Sequence, residues 1–263
     1  MHTEAYENWT HQLVASAQAD PDVVGLVALG SMANAARRDN WSDHDFFVIT
    51  RPGRQEHYRQ TLTWLPDHAR IVLHFRETAH GLKVMYDDAH LLEFAVFDPE
   101  ELSVARANDY VVLLDRAGIA AHMQAIAAPR AEPVDPGRQC RFVLTLIQVG
   151  SGRYARGERL SGHVFIKSYA LDHLLRLLIA LHAPAGNPVL DNLDPFRRVE
   201  RAFPALAAEI SALLLRDPLA CAAAYLDLIA REARPVLGED FPAAAWTALQ
   251  AHLQRIHDDI GEG

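Results

Sequence analysis

Three acids and one Gly-Ser pair are the residues of this chain whose types and spacing could do chemistry. Gly30-Ser31 follows the apolar run Val23–Leu29, and Asp43-His44-Asp45 then runs straight into Phe46-Phe47-Val48-Ile49. A glycine lets the backbone approach phosphate oxygens closely, and a serine hydroxyl can donate to them. Asp43 and Asp45 stand two apart at the mouth of a strand, so their side chains leave on one face. Paired hard oxygen ligands of this kind suit Mg²⁺, which takes one or two carboxylates and completes its shell with water and phosphate. Glu93 lies inside Leu91-Leu92-Glu93-Phe94-Ala95-Val96-Phe97. A carboxylate among apolar neighbours is costly to bury unless it is paired, hydrogen-bonded or metal-bound, so Glu93 is a candidate third ligand. Three acids around divalent metal, beside a corner that can receive a triphosphate, would bridge an attacking hydroxyl and a leaving pyrophosphate in an in-line displacement.

The elements that must position these groups follow from pattern. Val23–Leu29 reads as a fully buried strand, and 32–38 as a short helix whose free N–H groups and positive end face the anion. Asp39-Asn40-Trp41-Ser42 is polar turn material. Residues 83–86 and 90–97 read as a hairpin turning on Asp87-Asp88, and 3–19 and 119–128 as helices. Pro129, Pro133 and Pro136, interspersed with Arg130, Glu132 and Asp135, read as a linker. Beyond it Leu, Ile and Ala recur at helical spacing over 140–156, 163–182, 205–215, 219–232 and 243–258. Taken singly, Gly-Ser after a strand is a turn and Asp-His-Asp a solvated loop; their order, together with the downstream acid, sets the combination apart.

Strand, Gly-Ser, short helix, Asp-x-Asp opening the next strand and a later strand acid together resemble the nucleotidyltransferase superfamily that includes DNA polymerase β. Within it the chain is similar to the small streptomycin, aminoglycoside and lincosamide adenylyltransferases. The stretch Asp109–Gly118 is similar to the last sheet strand of that family and its Asp-basic-x-Gly turn, so the motif match covers roughly residues 23–118. The resemblance implies an α/β (α+β) nucleotidyltransferase domain with a mixed sheet, residues 1–130. An all-α helical bundle, residues 137–263, would complete the substrate cleft. It also implies metal on Asp43, Asp45 and Glu93, triphosphate at Gly30 and Ser31, and transfer of a nucleoside monophosphate, AMP from ATP, to a hydroxyl of a small molecule such as an aminoglycoside.

In several such enzymes a helix of the second domain presents Glu-x-x-x-Lys, the acid as general base and the lysine on nucleotide. Here His163 and Lys167 stand four apart near a helix start. Lys167 would meet the triphosphate, and the base would be His163, Glu93 or neither. Arg153, Arg156 and Arg159 read as surface charge, and Gly150-Ser151-Gly152 is not a Walker A loop, since no Gly-Lys-Ser/Thr closes it. The other histidines, among them His68, His74, His80 and His90, make no zinc pattern and read as surface or satisfied residues.

Composition bounds the partners. The chain of 263 residues is half apolar, enough for one large core or two modest ones. A formal charge of −9 and the lack of a basic stripe argue against long nucleic acid and agree better with a small cationic acceptor. Cys140 and Cys221 read as buried thiols of a reducing compartment. With no signal-like start and no apolar run near 20 residues, the expectation is a cytoplasmic monomer or homodimer. Two alternatives stay open: a non-catalytic, antitoxin-like interaction protein on the same fold, and nucleotidyl transfer to a protein or RNA acceptor.

Overall fold

The computed structural model describes residues 3–107, 109–126, 134–183, 186–191 and 194–261. The chain divides into two compact units, Met1–Pro129 and Arg130–Gly263.

The first unit is built on a six-stranded mixed sheet. After helix α1 (Thr3–Ala19), the chain runs through β1 (Val23–Leu29), the single turn α2 (Gly30–Ala33), β2 (His44–Thr50), α3 (Gln55–Gln60), β3 (Ile71–Arg76), β4 (Gly81–Tyr86), β5 (Leu91–Phe97), β6 (Tyr110–Asp115) and α4 (Ile119–Ile126). The strand order is β3-β4-β5-β2-β1-β6, with β2 and β5 parallel and every other neighbouring pair antiparallel. Central strands covered on both faces explain the unbroken apolar runs of the sequence. On one face α1 lays Tyr6, Trp9, Leu13 and Ala17, at helical spacing, against Leu26, Phe46, Val48, Leu92 and Phe94. On the other, Ile119 and Met123 of α4 pack with Val27, Phe47, Ile49 and Phe97.

The second unit is helical: α5 (Pro136–Ala155), α6 (Arg159–Val164), a π-helical turn (Phe165–Ala170), α7 (Leu171–His182), α8 (Val199–Ala202), α9 (Pro204–Leu214), α10 (Pro218–Glu232), α11 (Arg234–Leu237) and α12 (Ala243–Gly261). Its core gathers Val143, Ile147, Leu174, Leu178, Tyr225 and Ile229. Asp135 and Pro136, expected in a linker, instead start α5: the Asp135 carboxylate accepts from the Arg138 N–H, and proline occupies the first turn, where its missing donor costs nothing. Pro129, Pro133, Arg130, Glu132 and the end of the 119–128 helix lie outside the described residues. The segment 163–182, expected as one helix, begins at Arg159 and passes through the π turn. The glycines near its start serve packing. A Cβ on Gly150 would sit 2.8 Å from Ile166, and one on Gly162 2.8 Å from Tyr154, so the first lets the π turn and the second lets α6 approach α5 closely. Among the described residues no helix is long and apolar enough to cross a membrane.

Candidate functional site

Asp43, Asp45 and Glu93 converge. Each offers a carboxylate oxygen, and the three oxygens lie within 4.8 Å of one another on half-buried side chains. The sheet register produces this. β2 and β5 run parallel with Asp45 opposite Glu93, and Asp43 leaves the same face just ahead of β2. In the pleat, His44, Phe46 and Leu92 point the other way, into the α1 core, so the alternation that buries one side aims acids out of the other. Lys83 is opposite Glu93 on β4, with its ammonium 3.0 Å from Glu93 Oε1 and 3.2 Å from Glu77 Oε1. Hydrogen bonds that its ammonium donates to Glu93 first and to Glu77 second raise the Lys83 pKa, keeping it cationic. Octahedral Mg²⁺, with metal–oxygen distances of about 2.1 Å, places its ligands roughly 3 to 4 Å apart, so these oxygens can close on a hard cation by small rotations.

The Gly-Ser corner abuts the acids. Gly30 has φ +50°, and a Cβ there would lie 3.1 Å from Asp45 Oδ2. The helix expected over 32–38 is shorter than the sequence suggests: α2 is one turn, and Ala35–Arg37 follows as a 3₁₀ turn. Asn34 is the cause, since its side-chain oxygen takes the Ala36 N–H at 3.1 Å and diverts the backbone from the helical ladder. The Gly30 N–H also has a protein partner, the Asp109 carbonyl at 3.3 Å, while Asp109 pairs with Arg37 through its carboxylate. One turn carries little of the dipole that a longer helix would aim at an anion. The hydroxyl of Ser31 donates to the Asp43 carbonyl at 3.4 Å, a carbonyl that also accepts from Tyr6 at 2.9 Å. Burial pushes the Tyr6 phenol up to about 12, which keeps it a donor.

A buried histidine pair underlies the acids. His44 is fully buried and His90 is 7% exposed. Their rings meet at 2.7 Å, His44 Nδ1 to His90 Nε2. On its far side His44 Nε2 lies 2.9 Å from Thr10 Oγ1 and 3.3 Å from the Tyr6 carbonyl, which can only accept. Nε2 therefore carries the proton, Nδ1 accepts from His90 Nε2–H, and His44 is neutral. The Tyr6 ring stacks on it at 3.6 Å. Burial first, and for His44 the facing His90 second, hold both imidazoles well below the usual histidine range. Of the surface or satisfied places expected for His90, it takes the second, as one half of a buried pair.

The pair has a consequence for stability. Unfolded histidines take up protons near pH 6.5 while this folded pair stays neutral, so stability is complete above that value and is lost as pH falls below it. Denaturant melts at pH 7 and pH 5 should differ by on the order of 2 kcal/mol for each histidine. A double variant, His44→Asn with His90→Gln, should flatten that dependence; an equal slope in the variant would sink the assignment.

The remaining expected residues lie in the helical unit. Lys167 donates to the carbonyls of Leu214, at 2.8 Å, and Arg216, at 2.5 Å, closing the C-terminal end of α9. The exposed His163 faces the ring of Tyr154 at 5.9 Å between centroids. The arginines hold their own turn together. Arg153 donates to Ser161 Oγ and covers Phe165, Arg156 pairs with Glu158, and Arg159 covers Tyr154.

No family model and no curated protein matches the chain. Solved structures do. An aminoglycoside 6-adenyltransferase from Bacillus subtilis aligns over 94% of this chain and 97% of its own, at 13% identity and TM-score 0.39. A nucleotidyltransferase-like protein from Exiguobacterium sibiricum aligns over 98% and 91%, at 15% identity and TM-score 0.35. A STING-associated c-di-GMP synthase from Capnocytophaga granulosa aligns over 96% and 79%, at 11% identity and TM-score 0.28.

Proposed function

We propose that this protein is a metal-dependent nucleotidyltransferase that moves a nucleoside monophosphate, AMP from ATP, onto a hydroxyl of a small molecule. The observation that carries the reading is the meeting of Asp43, Asp45 and Glu93 within 4.8 Å, with Gly30 directly against Asp45. The donor set is all carboxylate oxygen, the chemistry of a hard divalent cation, and Mg²⁺ is the cation proposed. Asp43 and Asp45 would hold it, with Glu93 as third ligand through lone pairs that the Lys83 pair leaves available. When bound, the metal supplies neutralisation of charge on the triphosphate and pyrophosphate.

In the reaction the acceptor oxygen forms a bond to the α-phosphorus as the bond to the bridging oxygen of pyrophosphate breaks, and the hydroxyl proton passes to a base. The chain's own contribution is positioning. Gly30 lets a phosphate oxygen approach the backbone beside Asp45, and Ser31 ties that corner to the Asp43 carbonyl. The parallel register of β2 and β5 fixes Asp45 beside Glu93. Such preorganised charge is the larger part of catalysis in phosphoryl transfer. The acidic balance of the chain favours a cationic, aminoglycoside-like acceptor.

Melting curves test the binding half of this reading. ATP and Mg²⁺ together should raise the transition by several degrees, as expected for ligand at about 100 times its dissociation constant, and ATP with EDTA should not. An equal rise with and without the metal would remove the carboxylate cluster from the function.

A further inference from the structure

Resting on the nucleotidyl-transfer reading, we infer that Trp41 is the platform on which the nucleobase of the triphosphate stacks. Its side chain is 93% exposed, the most exposed of the large apolar side chains described. The chain's other tryptophans are anchored. Trp9 packs with His44 and His90, Trp64 donates to the Tyr58 carbonyl, and Trp246 donates to the Leu226 carbonyl. The Trp41 indole meets no other ring or cation among the described residues. A lone exposed apolar residue needs no explanation, but this one is held in a particular place.

The turn that carries it is pinned from both ends. Asp39 Oδ1 accepts from the Trp41 N–H at 2.9 Å and from the Ser42 hydroxyl at 3.2 Å, while Ser42 Oγ accepts from the Asp39 N–H at 3.0 Å. One residue later the chain reaches Asp43, so the Trp41 Cα lies within about 7 Å of the Asp43 Cα by chain length alone. A nucleotide whose phosphates sit at the acids carries its base about the length of one ribose away, and the turn that leads into Asp43 offers this exposed indole as an aromatic face beside that path. Every nucleobase has a planar face, and stacking on an aromatic side chain strengthens binding by about 1–3 kcal/mol, roughly 5- to 150-fold. Asp45, Gly30 and Trp41 would then divide one ligand among metal, phosphate and base contacts.

Acrylamide quenching tests this on the full chain, with Trp41→Phe identifying the emission that belongs to residue 41. Solvent-exposed Trp41 should quench readily in the free protein. ATP with Mg²⁺ should shield it at least twofold, whereas tripolyphosphate with Mg²⁺, which lacks a base, should raise the melting transition without shielding it. By calorimetry Trp41→Ala should bind ATP with Mg²⁺ about tenfold more weakly, and Trp41→Phe close to wild type. If ATP raises the melting transition but leaves Trp41 equally quenchable, stacking is overturned and the transferase reading stands. If ATP with Mg²⁺ has no effect on melting, both fall. Shielding by a candidate aminoglycoside acceptor and not by ATP would assign the ring to the acceptor and overturn the proposal as well.

Discussion

Asp45→Asn should lower pyrophosphate release from ATP, in the presence of an acceptor, by on the order of 10³-fold while leaving the fold intact. The substitution keeps the side chain's shape and removes one charge from the group shared by Asp43, Asp45 and Glu93. Two carboxylates about 4 Å apart repel by about 1 kcal/mol even in a water-like dielectric, so the variant without metal should melt at the same temperature as wild type or slightly higher. The two proteins should part on adding Mg²⁺ with ATP, which raises the transition of the wild type alone. A catalytic loss joined to unchanged or improved apo stability separates a lost ligand from a damaged core. Turnover within a few fold of wild type would remove Asp45 from the reaction.

The acids were legible in the sequence because strand alternation is a local property. Two positions separated by one residue share a face whatever the rest of the chain does, and an acid inside an apolar strand stands out on composition alone. That Glu93 joins the two aspartates was expected through the family resemblance, but its place directly opposite Asp45 depends on β2 and β5 being parallel neighbours, with two further strands between them in sequence, which no local pattern shows. The Lys83–Glu93 pair leaves no local trace for the same reason: it exists only in the β4–β5 register. The histidine pair joins positions 46 residues apart beneath α1 and left no periodic trace beyond a His between two acids. Where local chemistry competed with pattern, the pattern failed. Asn34 cut the expected helix to one turn, and Asp135-Pro136 opened a helix where prolines suggested a linker. The Lys167 ammonium meets the end of α9, a contact that spacing within its own helix could not reveal.

Gly30→Ala should separate backbone strain from encroachment on the site. At φ +50° an L side chain costs about 1–2 kcal/mol, and the new Cβ would also lie 3.1 Å from Asp45 Oδ2, so the carboxylate must give by a few tenths of an ångström. Gly53 supplies the control: its φ is +81°, yet a Cβ there meets nothing within 4 Å. Both alanine variants should melt a few degrees lower. Gly30→Ala alone should lose about 100-fold in pyrophosphate release and need more Mg²⁺ for half-maximal rate, because sub-ångström displacement of a positioned group is expensive in an in-line displacement. If Gly53→Ala loses as much activity, the loss is one of stability and the corner has no special part in the reaction. If Gly30→Ala is as active as wild type, neither phosphate nor metal can sit where Gly30 abuts Asp45, and the three acids would have to be explained as surface charge neutralised by Lys83.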